Sequence, residues 1–361
     1  MHQKEQTGFY PQLDSLRAIA VLLVIISHWF ADNHFLNKYT ANGILGVTLF
    51  FVLSGFLITG ILLKSKTKME LGGSAGTAFK IFYIRRSLRI FPVYYLLLFV
   101  LLIFNIVSIR ESFWWHFLYG SNFYFWINNA FAGSLSHLWS LAVEEQFYLV
   151  WPALILLVPR RYLTGVLLAG VLTGVLFRLA IVTNTSDMGR LLMPGSLDSF
   201  CIGGLLAYGR NDGKRWYNYY LGIQQWFVLL ALALLLFVHL PAFRSLAPAP
   251  FSAFYLLFIT VAFGILINRV TYTVHTPVLK QVLNNKALLY IGKISYGVYL
   301  FHNFIPYLYE VQLPTFLQPL SLYIVQGLRF IVLMVIASVS WFLIEKPVLQ
   351  LKSRFEYNPK Q

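Results

Sequence analysis

Runs of about twenty predominantly apolar residues recur along this chain from residue 13 to residue 344, each long enough to cross a hydrocarbon core of ~30 Å as a helix. Ten are expected, at 13–31, 43–63, 90–108, 136–157, 162–182, 191–209, 221–241, 251–270, 287–307 and 319–344. The residues are 58% hydrophobic and only 11% charged, with a mean hydropathy of +0.67, whereas soluble domains carry roughly 25% charged residues. Most of the chain must therefore take lipid as its solvent. Unbroken runs of this length satisfy their own backbone groups as helices, so the sequence predicts an all-α integral membrane protein, a bundle of about ten transmembrane helices.

The formal charge of +15 does not point to nucleic acid, because the cations fall between apolar runs rather than along one basic face. They report orientation instead. With the N-terminus inside, 21 of the 28 lysines and arginines fall in inside segments, and only Lys38, Arg110, Arg190 and Arg244 fall outside. This asymmetry predicts cytoplasmic N- and C-termini. The expected organisation is a single membrane domain over 1–361 with short cytoplasmic tails at 1–12 and 346–361. The first run lacks a cleavable signal pattern and reads as a mature span. Cys201 is the sole cysteine, so no intrachain disulfide forms and no metal site is expected. The outside loop 109–135 carries Phe113, Trp114, Trp115, Phe117, Tyr119, Phe123, Tyr124, Phe125 and Trp126. These suit either an interfacial aromatic belt or an acceptor-binding surface folded back on the bundle.

Ionisable side chains inside a span cost about 2.5–3.5 kcal/mol on insertion scales, so they are paired, cavity-facing or functional. Arg17 and His28 lie eleven residues apart on the first run, about 1100° of helical rotation and therefore one face, with a rise of roughly 16 Å. If Arg17 sits at the headgroups, His28 lies at membrane depth. Structural roles as a snorkelling anchor and an interhelical hydrogen bonder remain open for the pair. The cytoplasmic loop 64–89 ends in Arg85, Arg86 and Arg89. Arg86 and Arg89 share a helix face, and guanidinium forks suit phosphate oxygens, although positive-inside topology alone also explains the cluster. Glu144 and Glu145 in the fourth run require at least one carboxylate facing the interior, where it could orient or charge-compensate His28 or pair with Arg178, Arg190 or Arg329. Asp198, Ser295, Tyr296 and His302 are further candidates for lining the same cavity, or helix-packing contacts.

As an ordered set, these segments resemble the acyltransferase 3 family of membrane acyltransferases. The resemblance is carried by LDSLRAIAVLLVIISHW with Arg17 and His28, FFVLSGFLI around Ser54 and Gly55, and RRSLRIFPVYY with Arg86 and Arg89. HLWSLAVEEQFYLVWP around Glu144, GKISYGVYLFH with Ser295, Tyr296 and His302, and the closing Glu345-Lys346-Pro347 complete it. Ser15 and Ala18 stand where such proteins often have glycine. The resemblance implies ten helices with cytoplasmic termini and His28 as the catalytic residue, with Glu144 beside it. Arg17, Arg86 and Arg89 would handle an acyl-CoA donor, while Glu145, Asp198, Ser295, Tyr296 and His302 are candidates for the substrate cavity by their polarity within the spans. It also implies transfer of an acyl group, acetyl above all, from cytoplasmic acetyl-CoA to a hydroxyl of a surface polysaccharide, a lipopolysaccharide O-antigen, peptidoglycan or a lipid-linked sugar. No cofactor is permanently bound. Some such proteins carry a fused hydrolase-like domain, and this chain resembles the standalone type in a bacterial plasma or inner membrane.

On that reading His28 acts as general base toward the acceptor hydroxyl or as a nucleophile forming an acyl-histidine. The rival class is a transporter whose buried charges line a solute or proton path. The absence of a half-to-half repeat and of paired broken helices argues against it.

Overall fold

A computed structural model describes residues 10–38, 42–184, 187–222, 226, 249–272, 281–312 and 321–355. The long helices are α1 (Gln12–Trp29), α3 (Asn42–Glu70), α4 (Ala75–Phe104), α7 (Leu138–Leu157), α8 (Arg160–Asn184), α9 (Leu197–Asn211), α10 (Ala249–Tyr272) and α14 (Leu322–Ser340). Short helices fill the connections: α2 (Phe35–Lys38), α5 (Phe113–Phe117), α6 (Ser121–Asn128), α11 (Lys286–Lys293), α12 (Ser295–Phe301), α13 (Phe304–Gln312) and α15 (Lys346–Gln350). Among the described residues seven helical segments are long and apolar enough to cross a membrane, and the chain is a multi-pass α-helical membrane protein.

Two of the ten expected spans differ, and a third is not described. The sixth shortens to α9, whose 15 residues rise only ~22 Å, because Pro194 starts a 3₁₀ turn at Met193–Ser196 ahead of it. The ninth is broken into α11, α12 and α13, the first break falling at Ile294 with φ −97° and ψ 10°. The expected span 221–241 lies largely outside the described residues. The basic loop 64–89 is also mostly helical. α3 runs on to Glu70 and α4 starts at Ala75, joined by a tight turn in which Gly72 has φ +101°. Ser74 caps α4 by accepting from the Thr77 backbone N–H at 3.4 Å. Arg85, Arg86 and Arg89 therefore project from a helix, which holds their spacing rigid.

Glycines bring the site-bearing helices together. A Cβ on Gly55 would stand 2.2 Å from the Phe200 carbonyl oxygen and one on Gly203 2.2 Å from that of Val52, so α3 and α9 cross with backbones in contact. Gly292 of α11 is pressed harder still, its Cβ position 1.7 Å from the Asp14 carbonyl oxygen of α1. Lys66 of α3 is buried and donates to the carbonyls of Ile155, at 2.9 Å, Leu156, at 3.1 Å, and Val158. It thereby closes the C-terminus of α7 with a cation.

The aromatic loop 109–135 folds back on the bundle. Tyr94 of α4 donates to the His116 carbonyl at 2.7 Å, and Gln146 of α7 donates to that of Tyr119 at 3.0 Å. Phe125 and His116 are fully buried, while Trp114, Trp115 and Trp126 face outward. Within this loop His116 bridges the hydroxyls of Ser112, at 3.1 Å, and Ser121, at 2.7 Å. Burial pushes its imidazole down to about 4.

At the far end, α14 passes into a π-helical turn at Trp341–Glu345 before α15. Pro347 has no N–H, and its ring crowds the carbonyl four residues earlier, which favours a wider turn at this point. The turn carries Glu345 inward, where it accepts from Ser340 at 3.3 Å.

Candidate active site

Two cavities lie back to back in the bundle. The first, of about 90 Å³, is lined by Arg17 of α1, Arg86 and Arg89 of α4, Glu144 and Glu145 of α7, and Ser295 and Tyr296 of α12. The second, of about 400 Å³, is lined by His28, Trp139, Arg178, Arg190 and Ser196 among others. Val47, Phe51 and Tyr299 line both and form the wall between them. The first occupies the half of the bundle toward the α3–α4 turn. The second occupies the half toward the α1–α3 connection.

The face shared by Arg17 and His28 is thus divided between two chambers. Arg17 donates to Asp14, one turn earlier. Arg86 lies 4.8 Å above the Tyr148 ring and 6.0 Å from that of Phe82, so its guanidinium is stacked and its edge donors stay available. Arg85 instead turns away to donate to the Phe355 carbonyl at 3.2 Å.

Glu144 does not stand beside His28, contrary to the expectation. Its carboxylate accepts from the Ser54 hydroxyl and from the Tyr148 phenol one turn along α7, on the arginine side of the wall. The i, i+4 spacing in α7 supplies one hydroxyl, and the α3–α7 approach supplies the other. Glu145 lines the same cavity. Tyr296 donates to the Ile90 carbonyl at 2.8 Å.

Asp198 and His302 line neither cavity. Asp198 is fully buried and accepts both forks of Arg178, at 2.8 and 2.7 Å, while Arg178 also donates to the Gly195 carbonyl at 2.7 Å. Asp198 is the counter-charge of an α8–α9 pair, which a carboxylate in a low-dielectric core requires. His302 is fully buried behind His28, the ring centroids 5.0 Å apart, and a third ring, His137, stands 4.9 Å from it.

The carbonyl partners of His28 and His302 assign a tautomer to each of these two rings when both are neutral. A carbonyl can only accept, so His302 Nδ1 donates to the Tyr299 oxygen at 2.5 Å, and His28 Nδ1 donates to the Val24 oxygen at 2.9 Å. With both rings neutral, His302 Nε2 keeps a lone pair 3.4 Å from His28 Nδ1, and His28 keeps its own lone pair on Nε2. A histidine held in that tautomer at the edge of a cavity can accept a proton.

Sequence reasoning passed over several residues. Tyr148 was detectable as the i+4 neighbour of Glu144, and Ser54 stood in a recognised segment. Trp139, Ser140 and Tyr299 also stood in recognised segments, but nothing in their type or spacing singled them out before the wall is assembled. Ser140 and Tyr299 share a hydrogen bond of 2.5 Å.

The comparisons with known proteins bear on the family of the whole chain. An acyltransferase domain family matches residues 10–344. The peptidoglycan O-acetyltransferase OatA of Listeria monocytogenes is 31% identical over 323 residues, covering 81% of this chain and 49% of its own length. The putative peptidoglycan O-acetyltransferase YrhL of Bacillus subtilis is 31% identical over 376 residues, covering 96% of this chain and 56% of its own length. A putative O-acetyltransferase of Staphylococcus aureus is 31% identical over 325 residues, covering 81% and 50% respectively. The chain spans about half the length of these curated relatives. No solved structure matches it. Back-to-back cavities would also suit a transporter, but the match over nearly the whole chain decides between the two classes: the chain belongs to the acyltransferase 3 family of membrane acyltransferases.

Proposed function

We propose that this protein is an O-acetyltransferase that takes acetyl from acetyl-CoA on its arginine side and delivers it to a carbohydrate hydroxyl on its histidine side. The observation that carries the reading is the common wall of Val47, Phe51 and Tyr299, with Arg17, Arg86 and Arg89 behind it and His28 in front. Three guanidinium groups suit the phosphates of a nucleotide-bearing thioester. The curated relatives named above as peptidoglycan O-acetyltransferases favour a glycan acceptor.

In this reaction the His28 Nε2 lone pair takes the proton of the acceptor hydroxyl as its oxygen attacks the thioester carbonyl carbon. The C–O bond forms, the C–S bond breaks, and the coenzyme A thiolate leaves to be protonated. His302 Nε2 accepts from His28 Nδ1–H while His28 carries positive charge. The same placement also serves an acyl-histidine route, in which His28 Nε2 attacks first. On this reading the arginine side is cytoplasmic, with both termini on it and ten helices crossing a bacterial plasma membrane.

Purified protein incubated with radiolabelled acetyl-CoA and a peptidoglycan-derived oligosaccharide should yield labelled sugar whose ester is released by mild base. Hydrolysis of acetyl-CoA without sugar labelling, across a panel of glycan acceptors, would overturn the reading.

A further inference from the structure

The histidine-side cavity contains a charge that the proposed transfer does not use. Arg190 sits in the 3₁₀ turn Asp187–Leu191, exposed on the cavity that His28 lines. Among the described residues it takes part in no ion pair, and no aspartate or glutamate lines this cavity. The other arginine there, Arg178, is matched by Asp198 at 2.8 and 2.7 Å. The turn is also anchored. The Arg190 carbonyl lies 2.7 Å from where a Cβ on Gly195 would stand, and Asn122 donates to the Leu191 carbonyl at 3.4 Å. Trp139 and Phe131 line the same space, offering aromatic faces beside hydroxyl-bearing Ser27 and Ser196.

We infer that the acceptor is an anionic glycan, held by its negative group at Arg190 so that a hydroxyl of the same sugar chain meets His28. This inference rests on the glycan reading above and narrows it to acceptors carrying a carboxylate or phosphate. A neutral sugar could stack on the aromatic faces, but it would make no use of the positive charge that Arg190 presents to the cavity. An anion supplies a charge-assisted, two-pronged contact there. The negative group can come from a carboxylate on the sugar itself or from the diphosphate of a lipid carrier, and both offer paired oxygens to one guanidinium.

The test uses the whole purified chain with radiolabelled acetyl-CoA and four acceptors. These are an oligosaccharide of alternating N-acetylglucosamine and N-acetylmuramic acid with free carboxylates, the same oligosaccharide with each carboxylate converted to a methyl amide, a neutral N-acetylglucosamine oligomer, and the lipid-diphosphate-linked disaccharide. Wild-type protein should favour an anionic acceptor over the neutral oligomer by roughly 10- to 100-fold in kcat/KM, the range expected for a hydrogen bond to a charged group. Arg190→Gln should erase that preference through KM, leaving acetyl-CoA affinity and thermal midpoint unchanged, and Arg190→Lys should restore part of it. Loss of the preference on amidation assigns the anion to the sugar carboxylate. Preference confined to the lipid-linked form assigns it to the diphosphate. Equal use of charged and neutral sugars by the wild-type protein, or an equal fall on both in Arg190→Gln, overturns the inference while leaving acetyl transfer to glycans intact. Failure to label any of the four sugars removes the glycan reading as well.

Discussion

His302 Nε2 lies 3.4 Å from His28 Nδ1, and each ring donates its Nδ1 proton to a backbone carbonyl. The arrangement fixes which nitrogen of His28 remains basic. His28→Ala should reduce transfer by at least about 100-fold while membrane insertion and acetyl-CoA binding persist. His302→Ala should be milder, lowering kcat with donor KM unchanged. Transfer assays paired with donor-binding measurements on the same preparations decide it, and near-normal transfer by well-folded His28→Ala protein would exclude His28 as the base.

Arg86 and Arg89 face the same small cavity from adjacent turns of α4. Replacing both with alanine should weaken coenzyme A binding more than it lowers thermal stability, and added salt should imitate the effect. Calorimetric titration of the donor into wild-type and doubly substituted protein checks this. Equal affinities would return the arginines to a purely topological role.

Asp198 neutralises Arg178 between α8 and α9, with both groups buried. Asp198→Ala should destabilise the protein by about 3–5 kcal/mol, the usual cost of leaving one member of a buried pair alone. Acetyl-CoA affinity per folded molecule should not change. Thermal unfolding in detergent together with donor titration separates these effects.

His116, buried between Ser112 and Ser121, has its imidazole held down at about 4. An unfolded histidine titrates near 6.5, so between these values the unfolded chain binds the extra proton and stability rises with pH. The contribution is complete above about 6.5 and is lost as pH falls toward 4. Melting temperatures across that window should fall less steeply in His116→Gln than in the parent.

Cysteines introduced singly at exposed Asn33, in the α1–α3 connection, and at Trp114 should react with a membrane-impermeant reagent from outside intact cells, and one at Lys68 should not. Lys68 is the better inner probe because Lys66 is buried as the cap of α7. Native Cys201 is buried and does not compete. Labelling of Lys68→Cys from outside would reverse the proposed orientation.

Much of this architecture was legible because lipid imposes a length and a polarity on every crossing helix. Runs such as 43–63 and 136–157 needed little more than counting. The sixth and ninth runs were misjudged because hydropathy does not register a break that neighbouring helices compensate, as at Ile294 or before α9. The arginines and His28 were visible as charges that lipid would reject. Their division between two chambers was not, since it depends on Val47, Phe51 and Tyr299, residues that look like any other helix interior. The partners of Glu144 were open for the same reason: Ser54 reaches it only through the approach of α3 to α7, which no single-helix pattern encodes.

An energised membrane spends about 2.3 kcal/mol for every unit charge that crosses 100 mV unproductively, so any protein that opens toward both faces is a potential short circuit. Val47, Phe51 and Tyr299 insulate one cavity from the other with aliphatic and aromatic carbon. The one hydroxyl among them is tied to Ser140 at 2.5 Å and to the His137 carbonyl at 3.2 Å. That phenol is thereby held in place within the wall. In the proposed reaction the acetyl group stays covalently bonded throughout, so no ion needs to pass this barrier.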